Sequence, residues 1–322
     1  MKVRATLIGC GRWGSKLLGA LIRNPRIDLV GVADRSAEAR ARAAEVVAGL
    51  PVVESLSAAL RLGPEAVLVA TPSVHHAEHA HAVIEAGVDV FVEKPLALTL
   101  SEASGLCDAV ARGARIGMVG HVLRYHPAVV ALADLVRRGA IGAVRRVEGR
   151  RWTQSGSAAP LWTLGPHDLS TLHALDPSAA TRVEARFQQL RGDAAKRPVA
   201  IEVGLESGVE ACFELSTAAS APARRLTVIG SDGRLEIDEL RSDRPLSLAE
   251  GRNGDPVHVE VAPQEPLQAE LDHLAQCVRD RREPRTSFEE GRWVVEQLER
   301  AQRMLDSGPS DAASSVRSVV SP

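Results

Sequence analysis

Val3-Arg4-Ala5-Thr6-Leu7-Ile8-Gly9-Cys10-Gly11-Arg12-Trp13-Gly14 is the stretch that decides the fold. An apolar run of strand length ends in G-x-G-x-x-G, and the segment after it, through residue 24, has helical spacing. In a strand, turn and helix unit, Gly9 permits the tight turn, Gly11 the close approach of a pyrophosphate, and Gly14 the packing of helix on strand. The helix amino terminus adds unpaired N–H donors and a partial positive charge for phosphates. Asp34 ends the next apolar run, where a carboxylate can accept hydrogen bonds from an adenosine ribose. Together these residues predict a bound NAD. NADP is possible, because Arg12 and Arg35 can offset the repulsion between Asp34 and a 2′-phosphate by pairing or stacking.

Outward from that unit, short apolar runs alternate with helical segments through residue 120. Strands are expected at Val3-Ile8, Leu29-Ala33, Ala66-Ala70, Val88-Val92 and Arg115-Val119, with helices near 12–24, 36–48, 55–61, 74–86 and 99–111. Such alternation implies right-handed crossovers and a parallel sheet. After residue 140 the strand-like segments alternate polar and apolar residues, at Val144-Arg151, Val199-Glu206, Val209-Leu215, Arg225-Gly230, Arg234-Ile237 and Val257-Val261. Turns such as Ser231-Asp232-Gly233 separate several of them, which predicts a large, mainly antiparallel open sheet. Helices near 126–138, 163–175, 267–281 and 288–306 are expected to cover one face of it. The chain thus reads as α/β: a dinucleotide-binding domain at 1–121, a substrate-binding and oligomerisation domain at 122–306, and a flexible tail at 307–322.

The 322 residues carry a net charge of −2 and 3% aromatic side chains. Neither a basic field nor stacking platforms for nucleic acid follow from that balance. No apolar run is long enough to span a bilayer and no signal region opens the chain, so a cytoplasmic enzyme without a membrane partner is expected. The four cysteines are scattered and suggest free thiols.

Glu93-Lys94-Pro95 closes the run Val88-Asp89-Val90-Phe91-Val92 and sets a lysine at a strand's carboxyl end, where open α/β sheets bind ligands. Lys2, Lys16, Lys94 and Lys196 are the lysines among 39 basic residues. An ammonium can lose its proton when desolvated and a guanidinium cannot, so Lys94 reads either as a functional amine or as a solvated lysine after a strand. Thr71 and Pro72 end the third run and should lie over the ribose and nicotinamide side. His75, His76, His79 and His81 follow; two could share a face and hold a metal, but no Cys or patterned acid completes a set. One of them, His76, is assigned to the cofactor's surroundings, and no metal is expected.

The ordered set Gly9-Cys10-Gly11-Arg12-Trp13-Gly14, Ala70-Thr71-Pro72, Glu93-Lys94-Pro95, Gly120-His121-Val122-Leu123-Arg124-Tyr125-His126-Pro127, Gly165-Pro166-His167-Asp168 and Val228-Ile229-Gly230-Ser231-Asp232-Gly233 resembles the Gfo/Idh/MocA oxidoreductases over nearly the whole chain. The resemblance implies a Rossmann domain followed by an open-sheet domain, and hydride transfer between a nicotinamide and a secondary carbinol of a sugar or nucleotide-linked sugar. It also implies a homodimer or homotetramer. It assigns Trp13, Glu93 and Lys94 to the cofactor site and makes Lys94, commonly before a cis proline, also the residue that hydrogen-bonds the reacting oxygen. His167 becomes the catalytic acid/base. The family's acid four residues earlier is Thr163 here, and Asp168 lies about 100° around such a helix from His167. The segment Leu161–Leu169 looks most like the branch acting on nucleotide-linked amino sugars. Arg124 and Tyr125, just after the last Rossmann strand beside His121, are assigned to substrate with Thr163, although Arg124 reads equally as a packing residue. Arg224 and Arg225 read as guards of a sheet edge.

Two other activities use the same motifs. A non-catalytic dinucleotide sensor would keep the glycines and Asp34 and tolerate Thr163. An NAD-assisted elimination or glycoside cleavage would regenerate its cofactor without net turnover.

Overall fold

The protein was analysed as a computed structural model that describes residues 1–308 except 48, 157–158, 189–196, 242 and 252–253. The tail expected at 307–322 therefore lies outside the described residues from 309 onward.

The first sheet is parallel throughout, in the order β3-β2-β1-β4-β5-β6. Its strands are β1 (Val3–Ile8), β2 (Ile27–Ala33), β3 (Val52–Val53), β4 (Ala66–Val69), β5 (Asp89–Glu93) and β6 (Gly117–Gly120). Every residue of β4, β5 and β6 is buried, as expected for strands covered on both faces. Helices α1 (Arg12–Arg23), α2 (Ala37–Val46), α3 (Leu56–Leu60), α4 (His76–Glu85) and α5 (Leu100–Gly113) make the crossovers. Strand order reverses between β1 and β4, the switch point at which such sheets bind ligands beyond their carboxyl ends.

From α6 (Pro127–Arg137) the chain enters a second sheet, ordered β14-β13-β12-β11-β7-β10-β9-β8. These strands are β7 (Val144–Trp152), β8 (Ala180–Phe187), β9 (Val199–Leu205), β10 (Glu210–Ser216), β11 (Ala223–Gly230), β12 (Gly233–Asp238), β13 (Leu246–Glu250) and β14 (Val257–His258). Among the described residues of this sheet, only β7 and β10 run parallel. One face, with Val147, Phe213 and Val228, packs on α6, α7 (Pro160–Leu175) and α9 (Phe288–Asp306). The other face is laddered with ion pairs such as Arg150 to Glu214 at 2.7 Å and Arg186 to Glu202 at 2.6 Å.

The structure differs from the sequence reading in three places. Strands β3, β8 and β13 were not anticipated: β3 has two residues, and β8 interleaves Arg182, Glu184 and Arg186 with its apolar positions. Helix α8 (Pro266–Asp280) does not cover the second sheet. Its Leu267, Leu271, Leu274 and Val278 pack with Val3, Leu7, Leu17 and Leu21 of the first domain. Phe288 and Val295 of α9 likewise join the core beneath α4 and α5. The chain's last helices therefore tie the two sheets together. Arg224 and Arg225 lie on β11, an interior strand between β12 and β7, and Arg225 pairs with Asp238 at 3.2 Å.

Candidate active site

At the switch point the glycine-rich turn is built without slack. Gly9 has φ +92°, and a Cβ there would stand 2.5 Å from the Ala70 carbonyl oxygen; a Cβ on Gly14 would stand 2.0 Å from the Gly9 oxygen. At Gly11 a Cβ would meet no protein atom within 4 Å, so this position faces open space. Gly11 caps α1 without a side-chain hydrogen bond, and the first turn holds no acid. The N–H groups of that turn are thus left for an anion.

A cleft of about 660 Å³ runs from there over the ends of β1, β2 and β4, lined by Gly9, Gly11, Arg12, Trp13, Asp34, Arg35, Thr71 and Pro72, with His75 and His79 at its margin. Asp34 lines it just past β2; its two oxygens accept from Cys10 N at 2.7 Å and Ser36 N at 2.8 Å, which fixes the carboxylate's direction. The cradle, the uncapped helix and the oriented acid fit a dinucleotide. His76 is 1% exposed, its ring held between the Pro95 and Thr71 carbonyls at 2.7 and 2.9 Å. It braces the two loops that flank the cleft rather than facing it. Among the described residues no group of histidines, cysteines and acids could hold a metal.

Trp13 donates its indole N–H to Glu93, joining the glycine turn to the end of β5. The next residue, Lys94, precedes a cis peptide to Pro95, as the resemblance implies, and sends Nζ to the Thr163 carbonyl oxygen at 3.0 Å. That carbonyl belongs to the first turns of α7. Lysine from one domain and α7 from the other therefore meet at one point. Burial pushes the Lys94 ammonium's pKa down and Arg151 adds to that, while Glu93 opposes it.

His167 lies one turn along α7 from Thr163. Burial, and then the positive charges of Lys94 and Arg151 with His121 and Arg224, hold its pKa well below the ordinary value. The ring is neutral at physiological pH and able to accept a proton. Its Nδ1 is buried without a hydrogen-bond partner, and Nε2 is not so enclosed. Asp168 turns away to Arg151, which also grips Glu239, at 2.9 and 2.8 Å. It does not replace the acid missing at 163.

The substrate assignments of Arg124 and Tyr125 do not match their places. Arg124 Nη1 donates to Glu290 at 2.6 Å and to the Ser170 carbonyl at 3.0 Å, and Tyr125, 3% exposed, shares its hydroxyl with Thr286 at 3.2 Å. Arg124 stitches the crossover segment to α7 and α9, and Tyr125 ties it to the residues just before α9. The sequence reading missed Glu290 because its hydrogen-bond partners His121 and Arg124 lie more than 160 positions away.

The sequence profile described as an oxidoreductase family with an NAD-binding Rossmann fold, Gfo/Idh/MocA, matches residues 3–121, and that of the family's C-terminal domain matches residues 129–236. UDP-N-acetylglucosamine 3-dehydrogenase of Acidithiobacillus ferrooxidans is 30% identical over 224 residues, 66% of this chain and 67% of that protein. The chain belongs to the Gfo/Idh/MocA family. The scyllo-inositol 2-dehydrogenase (NAD(+)) of Bacillus subtilis is 27% identical over 308 residues, covering 88% of each chain. The solved structure of the Acidithiobacillus enzyme shares the fold, with a TM-score of 0.85 over 95% of this chain and 99% of that one at 24% identity.

As a Gfo/Idh/MocA oxidoreductase, the chain uses NAD(P). A buried acid also lies on α8, near Glu93. Glu270 of α8 is 0% exposed and neither carboxyl oxygen has a partner. Burial, with the nearby Glu93 and Glu265, holds its pKa well above the ordinary value, and burial raises Glu93 itself to about 7 against the pull of Trp13 and Lys94. A carboxyl raised in the folded state keeps its proton where the unfolded chain has lost it. Stability is therefore lost as pH climbs above the unfolded value of about 4.3, by up to about 1.4 kcal/mol per unit. Glu270→Gln removes that loss, so its stability relative to the parent should rise from pH 5 to pH 7.5 in denaturant titrations. A constant difference across that range would show that Glu270 ionises normally.

Proposed function

We propose that the protein oxidises a ring hydroxyl of a nucleotide-linked amino sugar, with UDP-N-acetylglucosamine and its C3 hydroxyl as the best-supported case. The observation that carries this reading is the meeting of Lys94 with the Thr163 turn and the neutral His167, next to Glu93, which the cleft residue Trp13 holds. Its likeness to the Acidithiobacillus dehydrogenase supports the substrate class.

Bound in the cleft, NAD supplies the hydride acceptor. Gly9, Gly11 and Gly14 shape the pyrophosphate turn, with Arg12 beside it, and Asp34 takes the adenosine ribose hydroxyls. Asp34 would also disfavour a 2′-phosphate, so NAD is the expected preference, and Arg35 would serve the adenosine side. Thr71 and Pro72 would serve the nicotinamide side, and Trp13 and Glu93 fix the loop that carries Lys94. Lys94 hydrogen-bonds the reacting oxygen and offsets the charge that grows on it, while His167 takes the hydroxyl proton. The laddered face of the eight-stranded sheet is where copies of the chain are expected to associate.

The test is NADH formation followed at 340 nm with UDP-N-acetylglucosamine, UDP-glucose, N-acetylglucosamine and scyllo-inositol. Turnover with the nucleotide amino sugar well above the other three is expected. Preference for the free inositol, or product without net NADH, would overturn the reading.

A further inference from the structure

Behind His167 stands a second histidine that the chemistry above leaves unused. His121 is 1% exposed and follows β6 directly, with Nδ1 3.0 Å from Glu290 Oε1. Burial alone would raise the Glu290 pKa; the hydrogen bond from His121 and the charge of Arg124 outweigh it and hold the acid below its ordinary value. An imidazole facing a carboxylate through Nδ1 carries its proton there, which leaves Nε2 as a bare acceptor. That Nε2 is buried and has no partner. His167 presents the complementary defect, a buried Nδ1 without a partner, in a ring whose Nε2 must be bare to accept a proton from a hydroxyl. One ring lacks a donor and the other lacks an acceptor.

The scaffold links the two residues through α7. Arg124, three residues after His121, bridges Glu290 to the Ser170 carbonyl, and the hydroxyls of Ser170 and Thr171 return to the His167 carbonyl at 3.1 and 2.9 Å. The largest charge contributions at His167 come from Lys94, Arg151, His121 and Arg224, all able to bear positive charge, and the adjoining Asp168 carboxylate is taken up by Arg151. Around His121 lie the Glu290 carboxylate, with Arg124 and His173 on the same acid. A proton on His167 is therefore opposed by these cations, while one on His121 is met by a carboxylate.

We propose that His121, held by Glu290, is the proton acceptor behind His167 and takes the place of the acid absent at position 163. This rests on the dehydrogenase reading above. As the substrate O–H bond breaks, its proton joins His167 Nε2; the Nδ1 proton passes to His121 Nε2 across one bridging water. The carbinol carbon loses its hydride to the NAD oxidant, and the released proton resides on the His121 and Glu290 pair. His167 ends the step neutral, carrying the substrate's proton.

The test pairs kinetics with a spectroscopic signature. His121→Gln keeps an N–H donor for Glu290 but cannot accept a proton. Turnover should fall roughly 10²-fold with KM for both substrates unchanged. In nitrogen-15 spectra of the histidine-labelled protein, assigned by the signals lost in His167→Gln, wild-type His167 should carry its proton on Nδ1. In His121→Gln it should shift toward Nε2. Wild-type turnover in His121→Gln would overturn the relay, as would a wild-type His167 protonated on Nε2 or a His167 tautomer indifferent to the substitution. Should His121→Gln fail to fold, the wild-type tautomer decides alone. Absence of NADH with every nucleotide sugar would count against the substrate reading only, since the tautomers are read without turnover.

Discussion

Lys94→Ala should lower turnover about 10²–10³-fold, the range for removing one donor aimed at a developing oxyanion, while NAD binding is unchanged. The cause is geometric. Lys94 closes the end of β5 and reaches the Thr163 carbonyl at 3.0 Å, so its ammonium stands where the two domains converge and touches none of the residues that cradle a pyrophosphate. Lys94→Arg should not restore the rate. A guanidinium is planar and broader than an ammonium and cannot occupy the same point between Glu93 and α7. Turnover and NAD titrations by fluorescence of Trp13 and its neighbours check both variants. Parallel loss of NAD affinity and turnover would place Lys94 in cofactor binding, and near-normal turnover would remove it from the chemistry.

Arg151→Met should destabilise the fold by about 3–5 kcal/mol, the cost of leaving a buried charge without its partner. Arg151 on β7 is 6% exposed and makes hydrogen bonds to Asp168 of α7 and to Glu239 just after β12. Removing the guanidinium leaves two acids in a closed space. Burial already raises the Asp168 pKa, and Arg151 is what opposes that rise. Because Asp168 adjoins His167, the variant should also lose turnover even where it remains folded. Urea unfolding monitored by circular dichroism measures the stability, and a loss below about 1 kcal/mol, as for an exposed pair, would contradict the account.

Much of this architecture was legible in the chain because the signals are local. The glycine turn, the helix that follows it and Asp34 span a short segment, and each residue's task depends on its immediate neighbours. The buried runs of β4 and β5 likewise declare a sheet covered on both faces. What stayed hidden depends on partners distant in sequence. The amphipathic pattern of α8 shows which of its faces is apolar but not which sheet receives it, and that face went to the first domain. Arg124 reads equally well as a ligand for phosphate or as half of an ion pair until Glu290 is seen beside it. Edge strand β8 alternates charge as a solvated helix also does, and two-residue β3 carries no periodicity at all. The unpartnered nitrogens of His121 and His167 belong to three-dimensional placement alone.

The central claim is direct hydride transfer from a sugar carbinol held by Lys94 and His167 to the nicotinamide in the adjoining cleft. Its most direct test is a single turnover of UDP-N-acetylglucosamine deuterated at C3 with excess NAD, the nicotinamide product being analysed by mass spectrometry. The account predicts one deuterium at nicotinamide C4 for each 3-keto sugar formed, with a rate slowed by the isotope. Oxidised product without deuterium in the cofactor, or deuterium lost to water, would contradict it.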